Sequence, residues 1–192
     1  MIKEFCAPSV NMKEILRYAG SKEIESTARE CLAEAEGKLS YKVCYAIVNV
    51  SVKDEDVDMD FAKVHSKDLA KNLNGCDSAV IFAATIGTGI DRLITKYSRI
   101  SPSRALCFQA IGSERVESLC DAFEDEIKKE LSKGEMFFKP RFSPGYGDLS
   151  LEVQKEIFSL LDCPRKIGIS LGDSLLMTPS KSVTAIIGFG RK

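Results

Sequence analysis

Residues 101–133 carry the longest helical signal in the chain, and a helix of that length needs a large apolar surface to lie against. Pro102 suits a helix start, where its missing N–H removes nothing. Val116, Leu119, Cys120, Phe123, Ile127 and Leu131 recur at helical spacing and form one apolar stripe. Glu117, Asp121 and Glu124 fall beside that stripe on a neighbouring face. Gly112 is the one position where the pattern is expected to bend or split.

The segments available to cover the stripe are both strands and helices. Residues 41–52 are β-branched and aromatic and read as a strand. Residues 76–85 contain Ala-Val-Ile-Phe-Ala-Ala, the continuous apolar run of a buried strand. Met136-Phe-Phe-Lys is strand-like, and the last thirty residues read as two strands around the turn Thr178-Pro-Ser-Lys181. Residues 1–40 read as helical. Asn11 is placed to cap the run from Met12 to Tyr18, Gly20 stops it, and Ile24, Thr27, Ala28, Cys31, Leu32 and Ala35 then recur at helical spacing up to Gly37. Residues 66–73 and 149–161 also read as helices, the second ended by Asp162-Cys-Pro164. Helices and strands are segregated rather than alternating, so the expected class is α+β: one domain over residues 1–192, with a helical N-terminal part to residue 40 and an antiparallel sheet flanked by helices from residue 41.

Composition excludes several functions. The net charge is −1, with Lys and Arg interspersed among Asp and Glu, whereas nucleic-acid binding calls for a basic stripe. No apolar run reaches the ~18 residues of a membrane span. The first residues lack a signal peptide's apolar core, so a cytoplasmic protein without a membrane partner is expected. Seven cysteines at wide spacings include no CxxC pair, which fits reduced thiols buried as small hydrophobes. His65 is the only histidine, which rules out chemistry that needs a pair of histidines within this chain. The acidic run from Asp54 to Asp60 lacks the ligand order and glycine of an EF-hand and reads as a solvated loop or a strand with one polar face. Ile86-Gly-Thr-Gly89 follows a strand and precedes a helix, but Arg92 stands where a dinucleotide fingerprint needs its third glycine. It reads as a tight turn able to line a site.

The densest chemistry lies in Arg141-Phe-Ser-Pro-Gly-Tyr-Gly-Asp148. Arg141 offers a planar fork of donors that grips a carboxylate bidentately. Pro144 fixes one φ, Gly145 permits positive φ and close ligand approach, and Tyr146 adds a ring and a hydroxyl. The loop's N–H and C=O groups are positioned to read a purine edge. From residue types alone this is equally a Pro-Gly turn leading into a helix, with Arg141 in a surface ion pair. Glu135, six residues before Arg141, and Asp121, at the border of the long helix's stripe, are the acids available for the cationic end of a zwitterion.

Arg141-Phe-Ser-Pro-Gly-Tyr146 resembles the Arg-x-x-Pro-Gly-Tyr motif of the activation domain of vitamin B12-dependent methionine synthase. The stretch Leu171-Gly-Asp-Ser-Leu-Leu-Met-Thr-Pro-Ser-Lys-Ser-Val-Thr-Ala185 is similar to that family's second block. The resemblance implies a C-shaped α+β domain that binds S-adenosylmethionine in a shallow groove. It implies roles for Arg141, for Ser143 through its backbone, for Gly145 and Tyr146, for Glu135, and for Asp121 with Glu117 as its register alternative. The chain departs from the larger family members in having Gly147 for their proline. It also lacks their C-terminal tyrosine pair and a clear counterpart of their N-terminal aspartate, and no cobalamin-binding Asp-x-His-x-x-Gly occurs. The implied role is that of a separate reactivation component. It would hold S-adenosylmethionine for reductive methylation of cobalamin carried by a corrinoid-binding methionine synthase chain, with flavodoxin or ferredoxin as electron donor. Service to another corrinoid methyltransferase, or docking without S-adenosylmethionine, are the alternatives.

Overall fold

A computed structural model describes residues 1–132 and 134–191. The chain begins with β1 (Ile2–Phe5), α1 (Met12–Ala19), α2 (Glu25–Ala35) and β2 (Tyr41–Asn49). A small meander follows, β3 (Ser51–Lys53), β4 (Asp56–Asp58) and β5 (Lys63–His65), then α3 (Lys67–Leu73). Next come β6 (Ser78–Thr85), α4 (Gly89–Ser98), α5 (Pro102–Leu131) and β7 (Met136–Phe138). The C-terminal part holds α6 (Val153–Leu161), α7 (Cys163–Ile167), β8 (Ser170–Leu171), β9 (Met177–Thr178) and β10 (Ser182–Arg191).

Five strands form one antiparallel sheet in the order β1-β2-β6-β10-β7. In β6 every residue after Ser78 is buried, because both faces of the sheet are covered. Val80, Phe82 and Ala84 point to α1, α2, α4 and α5, with Phe123 of α5 packed on Phe82 at 4.9 Å between ring centroids. Ala79, Ile81 and Ala83 point to α3, α6 and α7. The expected α+β class holds, as an antiparallel sheet flanked by helices. Among the described residues no helix is long and apolar enough to cross a membrane.

The long helix is unbroken across Gly112. A Cβ there would come within 3.0 Å of Ile90 and Lys181 side-chain atoms, so the glycine serves close packing rather than a bend. The N-terminal reading needs one correction. Ile2–Phe5 is an edge strand, paired Ile2↔Cys44 through Phe5↔Tyr41, ahead of the two helices. Four residues show no periodicity; the strand exists because β2 offers a free edge and because Phe5 meets Phe123 at 6.4 Å. Asn11 caps α1 as expected, accepting from the Glu14 N–H at 3.3 Å, and Gly20 ends it at φ 71°.

Two further boundaries differ. The helix read over residues 149–161 starts at Val153, preceded by turns around the buried Leu149. The strands expected on either side of the 178–181 turn do not pair with each other. Thr178 belongs to a short hairpin with β8, while β10 runs into the main sheet between β6 and β7. The acidic run folds as part of the meander, with Val57 inward and Asp56 and Asp58 outward. Six of the seven free thiols are buried, and Cys6 is exposed.

Candidate functional site

The site is set by how residues 136–149 run along the edge of β10. After β7 pairs with the end of β10, Lys139 donates to Gly188 O and Phe142 exchanges both backbone bonds with Ile186 at 2.8 Å. Alternation along this extended stretch sends Phe142 into the second core and Arg141 toward α5. There Arg141 Nη1 donates to Asp121 (2.6 Å) and Glu124 (3.1 Å), and Nη2 donates to Glu117 (2.8 Å). These acids sit at i, i+4 and i+7 of one helix, so they form a ladder on one face. Burial alone would lower the Arg141 pKa, but the Asp121 hydrogen bond and the neighbouring negative charges outweigh it and raise the value. Nε–H and one Nη2–H have no partner among the described residues.

The Pro-Gly-Tyr segment then closes on itself. Tyr146 N–H donates to Ser143 O, Gly145 N–H to Leu149 O, and Leu149 N–H to Tyr146 O. Gly145 holds φ +89°, which an L side chain rarely adopts. At Gly147 a Cβ would lie 2.2 Å from Asp68 Oδ2, so this position is glycine because the loop presses on α3. The Asp148 carboxylate accepts from Ser66 Oγ (2.5 Å), Lys67 N (2.8 Å) and Asp68 N (3.2 Å). It therefore caps α3 and is spent on structure. The Ser66 hydrogen bond, helped by the two amides, holds its pKa below the usual aspartate range. Of the loop's backbone donors expected to read a base, the N–H groups of Phe142, Gly145 and Tyr146 are used inside the protein, while that of Ser143 has no partner among the described residues.

Above this frame is a groove of about 410 Å³. Arg141, Ser143 and Tyr146 line it, with Tyr146 largely exposed. Glu117 lines it from α5, whereas Asp121 reaches it only through Arg141. Gly145 shapes the loop without lining the groove, and Glu135 is exposed just before β7, outside the lining. The far wall is formed by Gln154 of α6 and Thr184 of β10, two buried polar residues that sequence reasoning did not single out. Thr184 belongs to the Ser-Val-Thr stretch of the second motif block, the one signal that pointed toward it.

A larger cavity, about 680 Å³, opens between α2, β2 and the N-terminal segment. Its walls are mostly apolar, and its buried cation, Arg115, is bonded to Glu114, Pro8 O and Ser9 O. Chemistry rather than size favours the smaller groove. The Thr85 to Gly89 turn lines neither cavity. Gly89 is needed because a Cβ would stand 1.9 Å from Lys38 O.

This architecture is that of a known reactivation fold. The crystal structure of the MetH reactivation domain bound to AdoHcy superposes with a TM-score of 0.67 at 13% identity, covering 98% of this chain and 78% of that one. The family described as "Vitamin B12 dependent methionine synthase, activation domain" matches residues 57–191, and the chain belongs to that family. Among curated proteins there is no match.

Proposed function

We propose that the groove binds S-adenosylmethionine and that the protein presents this methyl donor to cobalamin held by a corrinoid-binding methionine synthase chain. The observation that carries this is the Arg141 junction. Its spare donors suit a carboxylate. Around it, Arg141 and Lys128 face Glu117, Asp121 and Glu124, leaving one negative charge in surplus. A ligand with a carboxylate, an ammonium and a sulfonium matches both features. Membership of the activation-domain family and the AdoHcy bound to the structural neighbour support the same reading.

When bound, the donor supplies a methyl on a positive sulfonium, and transfer leaves the neutral thioether. The protein's own residues act by orientation and charge. Arg141 anchors the carboxylate, Glu117 and Asp121 offset the positive charge, and the self-bonded 143–149 loop holds Tyr146 at the open side. Flavodoxin or ferredoxin is the proposed class of electron donor.

Titration calorimetry with S-adenosylmethionine tests the binding. Wild type should bind, and R141A should bind more weakly by roughly 1.5–3 kcal/mol, the worth of a charged hydrogen bond. Absence of heat with wild type would leave docking alone as the role. Mixing with a methionine synthase that lacks its activation domain, S-adenosylmethionine and an electron donor should restore methylcobalamin absorbance; no recovery would refute the reactivation role.

A further inference from the structure

The larger cavity, about 680 Å³, shares no lining residue with the groove that Arg141 enters. Phe5, Val10, Met12, Leu32 and Leu39 give it apolar walls. Those walls are held in place. Arg115 donates from Nη1 to Pro8 O at 2.6 Å and from Nη2 to Ser9 O at 2.7 Å, which pins the N-terminal segment to α5. A preformed concavity of about 300–1,000 Å³, apolar apart from a few placed polar groups, is the usual form of a small-molecule site.

Tyr41 supplies the placed polar group. It opens β2, its ring belongs to the core under α5, and the 9% of it that stays exposed lies on the cavity side. Its hydroxyl stands beside the Arg115 guanidinium, which can donate to the oxygen but cannot accept from it. The O–H proton therefore has no acceptor among the described residues. A buried phenol seldom leaves its proton unused, so an acceptor belongs opposite it.

The surrounding charges say what kind of molecule carries that acceptor. Arg115 is paired with Glu114, Lys42 with Glu4 at 3.0 Å and Arg29 with Glu25. An anionic head would find no free cation to repay its desolvation. Glu36 is left over, but it sits exposed on the rim, where an ion pair is worth little. We propose that the cavity is a second ligand site, for a neutral and mainly apolar molecule whose carbonyl oxygen or ring nitrogen accepts from the Tyr41 hydroxyl. This assignment does not depend on the S-adenosylmethionine reading.

The probe is benzylacetone, a neutral aryl ketone, with butylbenzene as the analogue that lacks the acceptor. Each is titrated into the isotope-labelled full chain and followed by amide NMR. Wild type should bind benzylacetone with a dissociation constant at or below about 1 mM. The shifts should fall in residues 4–12 and 29–42 and be absent from 141–149. Y41F should weaken benzylacetone roughly three- to tenfold, the worth of one neutral hydrogen bond, and leave butylbenzene unchanged. A33W, at an exposed position of α2 on the cavity mouth, should block both. Both variants should melt within about 2 °C of wild type, so that lost binding is not lost folding. Shifts centred on 141–149, a Y41F effect that is absent or equal for the two probes, or unimpaired binding by A33W overturns the assignment. Binding of neither probe by wild type also overturns it and leaves the S-adenosylmethionine reading standing.

Discussion

Replacing Arg141 with Met keeps the aliphatic stem and deletes the fork. Three carboxylates on one face of α5 then lose their shared cation, with Lys128 left to pair Glu124. The Glu124 contact is the best shielded, at 14% side-chain exposure, and a charged hydrogen bond there is worth about 1–1.5 kcal/mol after discounting for the half-buried setting. Glu117 and Asp121 are 43% and 68% exposed, so each adds only about 0.5 kcal/mol. The expected total is near 2–2.5 kcal/mol. For a chain of this length, about 2–4 °C accompanies each kcal/mol, which gives a drop in Tm of roughly 4–10 °C. The assay is thermal denaturation by circular dichroism at low and at ~1 M salt. The exposed contacts are screened at the higher salt, so the gap between R141M and wild type should narrow there. A Tm within ~1 °C of wild type at low salt would show that the three ion pairs contribute nothing, and would remove the electrostatic basis of the proposed site.

Gly89→Ala should cost about 2–3 kcal/mol in chemical denaturation, since its Cβ would collide with the Lys38 carbonyl; wild-type stability would mean that the turn readily shifts. Asp148→Ala should loosen α3. Because the folded pKa of Asp148 is lowered, its contribution is complete above the ordinary aspartate value near pH 4 and is lost as pH falls through the folded value. The melting-point gap between D148A and wild type should thus be present at pH 7 and close below about pH 4; a gap that persists at low pH would refute the capping account. Thiol titration of the reduced native protein should show one fast group, Cys6, and six more only on unfolding. Two or more fast thiols would contradict the burial described.

Local physics made much of this fold legible in advance. The long helix runs from Pro102 to Leu131 against an expected 101–133, and Asn11 and Gly20 frame α1 as their chemistry requires. Ile2–Phe5 was not legible, because an edge strand is defined by its neighbour rather than by its own pattern. At the groove, Arg141, Ser143 and Tyr146 were legible because a compact motif holds them. Asp148, equally prominent in that motif, turns inward to α3, since a carboxylate next to a helix N-terminus finds three donors at once. Which α5 acid reaches the groove depended on helix phase, and the structure puts Glu117 there. Gln154 and Thr184 stand 30 residues apart on different elements, and nothing in either neighbourhood announces a shared groove wall.

The stretch matched by the family, residues 57–191, leaves out β1, α1, α2, β2 and β3, yet the first four of these are tied to the groove through α5 and through the pairing of β2 with β6. Glu114 and Arg115 of α5, each 2% exposed, hold Asn11 N, Pro8 O and Ser9 O, and Glu117 begins the Arg141 ladder within the next turn. Cutting away the first eleven residues would uncover that ion pair, and deleting β2 would strip β6 of one neighbour. The sensible boundary for any fragment, fusion or graft of the proposed site is therefore upstream of β1, because the matched stretch is a signature of the domain and not a unit that can be lifted out of it.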